Sequence, residues 1–169
     1  MLNKWEKEIN SFIELCNKHQ VRMIMVGGGA VNFHGYQRHS ADVDFWIDTT
    51  EDNFKKLVNV FNEMGYEIDD FPSKVKNQLQ NISVKFSPDD LDLELITKFL
   101  TSKTFDEAYN NSEQAVVKGN MFLKWNVLSY DDLIESKIKS QRPKDLLDIQ
   151  QLQEINNTNK IKRKKGKGL

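Results

Sequence analysis

Two aspartates, Asp42 and Asp44, sit two residues apart in the apolar run DVDFWI (42–47). On a strand, side chains at i and i+2 leave the same face, so these carboxylates would project side by side. Like charges so close drive one group toward protonation unless a cation holds them together. An oxygen-only pair suits magnesium, which usually takes one or two protein carboxylates along with phosphate oxygens. The same residues also fit two exposed acids on an edge strand. A second apolar run, LDLELI (91–96), alternates in the same way, with Asp92 and Glu94 on one face and Leu91, Leu93 and Leu95 on the other. If the two strands are neighbours, one of these acids completes a three-carboxylate cluster able to hold two metals about 3.5–4 Å apart. Glu94, deeper in the run, is the expected third member; Asp92, beside a turn, is the alternative.

Upstream, the strand-like VRMIMVG (21–27) ends in Gly27-Gly28 and leads into a stretch compatible with a short helix (28–35). Backbone N–H groups at such a turn point outward with no bulk in the way, a ready site for phosphate oxygens. The stretch is neither a P-loop nor a dinucleotide fingerprint: no Lys-Ser/Thr follows, and the third fingerprint glycine is missing. A plain tight turn is the other reading.

The elements that must carry these residues follow from periodicity. Trp5, Ile9, Phe12, Ile13 and Cys16 predict an amphipathic helix over 3–18. Thr50 caps a helix with Phe54, Leu57, Val58, Phe61 and Met64 on its apolar face, ended near Gly65. NISVKF (81–86), with Ile82, Val84 and Phe86 on one face, and 91–96 form a hairpin around the turn residues SPDD (87–90). Thr104 caps a short helical piece, and AVVKGNMFL gives two short strands around Gly119-Asn120. Ser129 with Asp132 starts a helix over 130–140. Pro143 opens a last helix with Leu146, Leu147, Ile149 and Leu152 inward. The fold class is α/β (α+β), a mixed sheet flanked by helices with a C-terminal helical segment. The expected organisation is a core over 1–128, a helical pair over 129–155 packed on it, and a basic disordered tail over 156–169.

The 169 residues suffice for a real core. Hydrophobic content of 38% and charged content of 29% describe an ordinary globular protein. The formal charge of −1 conceals a polarity: the last ten residues hold six Lys or Arg and no acid, so the remainder is net acidic. The single cysteine, Cys16, excludes an internal disulfide and reads as a small core residue. No apolar run reaches 18 residues, so no membrane partner is expected. The charged N-terminus does not read as a signal peptide, which makes the cytoplasm the expected address.

VGGGAVNFHGYQRHSADVDFWI resembles the DNA polymerase β-type nucleotidyltransferase superfamily. The closer likeness is to the small bacterial minimal nucleotidyltransferases that include abortive-infection-type toxin enzymes. The pattern G-G-x-A, H-G, R, a small hydroxyl residue and D-x-D falls on Gly27, Gly28, Ala30, His34, Gly35, Arg38, Ser40, Asp42 and Asp44. ELIT, then Phe105 and DEAY, matches the third-carboxylate strand and the segment after it, with Glu94 where aspartate is usual. LSYDDLIESKIKSQRPKDLLDIQQL resembles the C-terminal helical pair, with Lys137, Arg142, Lys144, Asp145 and Asp148 at matching places.

The resemblance implies a nucleotidyltransferase fold and transfer of a nucleoside monophosphate from an NTP to a hydroxyl. Asp42, Asp44 and Glu94 would be the catalytic acids and would hold two Mg2+ ions. Gly27, Gly28, Arg38, Ser40 and Lys137 would bind the nucleotide. Read by themselves, several of these have simpler roles: Ser40 a local backbone cap, Lys137 a solvated helix lysine, Arg38 a structural ion pair with Asp42 or Asp145. His34 reads as a hydrogen-bonding residue that shapes the turn, and Asp145 and Asp148 as links through Arg142 or Arg38. Phe33, Tyr36 and Trp46 flank the site and read as core packing, with base stacking the alternative. The implied partners are the NTP, an acceptor such as tRNA or a protein, and an antitoxin if the chain is a toxin. A binding module of the same fold without efficient chemistry is the rival reading.

Overall fold

The computed structural model describes residues 4–40, 42–86, 92–118 and 123–167, with side chains from 8 to 164. The Trp5 side chain, Leu91, the turn at 87–90 and Gly119-Asn120 lie outside the described residues.

Chain order is α1 (Lys4–His19), β1 (Met23–Val26), α2 (Gly27–Phe33), β2 (Asp42–Ile47), α3 (Glu51–Glu63) and α4 (Ser73–Lys76). There follow β3 (Ile82–Val84), β4 (Asp92–Ile96), α5 (Phe105–Asn111), β5 (Glu113–Val117), β6 (Leu123–Val127), α6 (Tyr130–Ser140) and α7 (Pro143–Lys167). The strands make one sheet in the order β3-β4-β2-β1-β6-β5. The pairs β1–β2, β3–β4 and β5–β6 are antiparallel, whereas β2–β4 and β1–β6 are parallel. It is therefore the mixed sheet flanked by helices that the patterning predicts.

Residue alternation on β2 divides the sheet into two faces. Phe45 and Ile47 are fully buried. Phe12 of α1 packs on Phe45 and on Phe61 of α3, at ring separations of 6.2 and 5.7 Å, so α1 and α3 cover that face. Asp42, Asp44 and Trp46 leave the other face. Asn53, buried at the start of α3, accepts from Arg22 N–H and donates to the carbonyls of Arg22 and Asp48, which fixes α3 against the ends of β1 and β2. The caps form as predicted: Thr50 accepts from Asn53 N–H, and Thr104 with Glu107 makes a reciprocal capping box. Ser129 accepts from Asp132 N–H at the start of α6.

The structure departs from the sequence reading in three places. On α3, Val60 is fully buried and Val58, expected on the apolar face, only half-buried. On α7, Leu146 and Leu147 face solvent, 56% and 49% exposed, and the inward stripe is Asp145, Asp148 and Leu152. Those two acids are drawn inside by cations from α6 and from the loop before β2. The helix then continues to Lys167, across the segment expected to be disordered from 156. No proline interrupts it there, and Gly166 is the first residue after 156 with a large helix penalty.

Candidate active site

The parallel register of β2 and β4 sets Asp42 opposite Asp92 and Asp44 opposite Glu94. Directly paired residues share a face, so four acids form a two-by-two array on the side away from α1 and α3. Adjacent strands lie about 4.8 Å apart, which brings each pair within direct electrostatic reach. Burial, then Asp42, then Glu94 push the Asp44 carboxyl up to about 6, against the opposing pull of Lys144 and Arg142. Both acids considered for the third position are therefore on the face, and the sequence could not choose between them because the register was not legible.

The array fits a hard divalent cation by its donor chemistry, which is all oxygen. Asp92 Oδ1 adds an orphan, being buried with no hydrogen-bond partner among the described residues. The side chains are aligned but not gathered. Among the described residues no three His, Cys, Asp or Glu close into a metal-holding group. Glu94 Oε2 accepts from Ser83 Oγ at 2.6 Å, which holds it toward the outer strand β3.

The glycine turn abuts this array. Val26 pairs with Asp44, so the chain reaches Gly27 just beyond the second aspartate. Gly27 has φ +63°, and a Cβ there would run into the Asp44 carboxylate. A Cβ on Gly28 would lie 2.6 Å from Ser40 Cβ. Ser40 Oγ in turn donates to the Asp42 carbonyl at 2.8 Å, the local backbone cap expected of it. Bare backbone at both glycines thus lets the turn, Ser40 and the D-x-D strand close up together. Gly27→Ala is expected to cost about 1–3 kcal/mol through its left-handed backbone, more if Asp44 cannot move aside. A urea melt checks it, with an unchanged midpoint as the contrary result.

Arg38 and Lys137 are both committed to carboxylates. Arg38 forks onto Asp148, with Nε 2.9 Å from Oδ1 and Nη2 donating to Oδ2 at 3.0 Å. Lys137 Nζ lies between Asp145 and Asp148 at 3.0 and 2.9 Å, with 6% of its side chain exposed. It is neither solvated nor open to solvent-borne phosphate. Asp145 also accepts from Ser140 and from Arg142 Nε. Burial works to raise its pKa, but Ser140, Arg142 and Lys137 outweigh it and hold the group at about 2. This network joins α6 and α7 to the loop between the glycine turn and β2.

His34 also serves the frame. Its Nε2 lies 2.8 Å from the Leu128 carbonyl, which can only accept, so Nε2 carries the hydrogen. Gly35, at φ +111°, leaves room for Ile155, whose Cγ2 would be 3.1 Å from a Cβ there. Trp46 is packed between Phe99 and Phe105 at 5.3 and 5.2 Å and is core. Phe33 is 42% exposed.

Residues 2–162 match the family described as "Nucleotidyltransferase of unknown function (DUF6036)". The chain belongs to that family. No curated protein matches the chain. Membership agrees with the fold, a six-stranded mixed sheet flanked by helices and followed by a C-terminal helix. For the DUF6036 chain described here, no helix among the described residues is long and apolar enough to cross a membrane. The residues of the site to which sequence reasoning gave no role are Ser83 and Lys144. Asp92 was visible as the alternative acid; Ser83 could be found only from the β3–β4 register.

Proposed function

We propose that this chain is a Mg2+-dependent nucleotidyltransferase that moves a nucleoside monophosphate from an NTP to a hydroxyl acceptor. The observation that carries this is the acid array of β2 and β4 lying directly beside the Gly27-Gly28 turn. The acceptor oxygen attacks the α-phosphorus, the new O–P bond forms as the bridge to the β-phosphate breaks, and pyrophosphate leaves. The hydroxyl proton passes to a carboxylate of the array. Bound Mg2+ would neutralise charge building on the phosphates and lower the pKa of the attacking hydroxyl.

Asp42 and Asp44 are the first ligands in this reading. Glu94, opposite Asp44, is the third, with Asp92 and its unpartnered oxygen the competing choice. The glycine turn admits the phosphates close to the backbone, and Ser40 fixes the turn against Asp42. The acceptor is an RNA such as tRNA, a protein or a small molecule. A toxin role with a cognate antitoxin, and a cytoplasmic address, stay within this proposal.

One observation favours a second reading. Glu94 is tied to Ser83, and the acids are not gathered into a metal-holding group among the described residues. That suits a nucleotide-binding module of the same fold with little chemistry. Incubation with each α-labelled NTP, Mg2+ and a crude extract of RNA, protein and small molecules separates the two. Label transfer lost in Asp44→Asn supports the enzyme. No transfer by the wild type, with NTP binding seen by calorimetry, leaves the binding module.

A further inference from the structure

The two cations best placed in sequence to hold phosphate, Arg38 and Lys137, are withdrawn from that task. Removing Lys137 from Asp145 and Asp148 would strand buried carboxylates without their shared cation, a change that is strongly unfavourable. Arg38 closes the same network from the other side. Resting on the nucleotidyltransferase reading above, we infer that Arg142 and Lys144, where α6 hands over to α7, hold the polyphosphate tail of the nucleotide.

Contacts lead without a gap from the glycine turn to Arg142, two residues before Lys144. A Cβ on Gly28 would lie 3.8 Å from Arg38 Nη1. Arg38 grips Asp148, Asp148 shares Lys137 with Asp145, and Asp145 holds Arg142 Nε at 2.6 Å. Farther along the helix, Ile155 packs against Gly35, so α7 lies along the loop that joins the glycine turn to β2. The start of α7 is thereby brought beside the loop that leads from the glycine turn to the Asp42–Asp44 strand.

Their availability separates these cations from the buried pair. The Arg142 side chain is 60% exposed and is anchored on Asp145 through Nε and, at 3.4 Å, Nη2, which aims the guanidinium and leaves Nη1 on its outer edge open. Lys144 is exposed and has no ion pair among the described residues. Asp145, between them, keeps its charge satisfied inward by Lys137 and Ser140. An anchored guanidinium gives fork-like recognition of phosphate oxygens, and an ammonium beside it adds a point charge. The acid array then takes the cation and the start of α7 takes the β- and γ-phosphates.

Calorimetry on the full chain with Mg2+ tests this, using an α,β-methylene NTP and the matching NMP as probes. Lys144→Ala is expected to weaken triphosphate binding about tenfold and Lys144→Glu further, while NMP binding changes less than about twofold. Lys144→Arg should retain near wild-type affinity. Lys139→Glu, an exposed charge reversal on α6, controls for the general field and should leave triphosphate affinity within about twofold. Triphosphate affinity unchanged in both Lys144→Ala and Lys144→Glu overturns the inference and leaves the enzyme reading standing. Equal loss for NMP and NTP, or equal loss in Lys139→Glu, also overturns it. A wild type that binds no triphosphate removes both.

Discussion

Asp44→Asn is expected to abolish nucleotidyl transfer and, in metal-free buffer at pH 7, to make the protein more stable. The loss of activity should reach at least about a hundredfold, since in the proposed reaction the carboxylate serves charge that develops only during transfer. The gain in stability has a separate cause. Asp44 is half-buried, Asp42 stands on the same strand face and Glu94 stands opposite, and together they raise its pKa from 3.8 to about 6. Below 3.8 the group is protonated whether the chain is folded or not, and the elevation has no effect on stability. Between 4 and 6 the folded state holds its proton more tightly than the unfolded state, so stability falls as pH rises. Above 6 the full penalty is present, about 1–2 kcal/mol after allowance for solvent screening. Each kcal/mol corresponds to about 2–4 °C in Tm for a chain of this size. Melting in EDTA from pH 4 to 8 should show the wild type losing stability across that window and Asp44→Asn losing less. Added Mg2+ should raise the Tm of the wild type only. A variant that melts like the wild type at every pH would mean that the acids of β2 and β4 do not repel as described.

Lys137→Met is expected to have the largest effect on folding of any single change at the site. The lysine is buried between two carboxylates that are themselves 1% and 2% exposed. Its removal leaves Asp145 with Arg142 and Ser140, and Asp148 with Arg38. Two buried anions then face each other without the cation between them. Breaking a buried pair from one side costs about 3–5 kcal/mol, enough to lower Tm by roughly 10 °C. Thermal melts would read it directly. A variant that keeps the wild-type Tm but binds NTP poorly would return Lys137 to the role of phosphate ligand and would reverse the present assignment.

Local chemistry made much of this fold legible. DVDFWI is a strand over the predicted residues because apolar alternation and bulky, β-favouring side chains agree there. The caps at Thr50, Thr104 and Ser129 are complete within four residues and can be read without tertiary context. Register cannot be read this way. Whether Asp92 or Glu94 stands opposite Asp44 depends on how two strands separated by some 45 residues slide past each other. The face of α7 was misread for a related reason. Apolarity favours Leu146 and Leu147 as the buried positions, and it would be right for a helix on an ordinary core. Here Asp145 and Asp148 go inside because Lys137 and Arg38 meet them, the latter from 110 residues earlier in the chain. Still, the stripe Asp145, Asp148, Leu152 has helical spacing, and two acids in line with a leucine were a readable sign of buried ion pairs.

The brace that α7 places on the Arg38 loop has a consequence for how the protein comes into being. The acid array is built from residues 42–94 and the glycine turn from 27–28, all present early in synthesis. Asp148, which grips Arg38, and Ile155, which fills the space left at Gly35, leave the ribosome well after them. A nascent chain therefore carries the acids before it carries the part that holds the neighbouring loop in place. Domains generally fold as units, and this sheet needs strands from residue 23 to residue 127. The helix that braces this loop is made after the acids beside it, so a chain interrupted between them has the carboxylates without that brace.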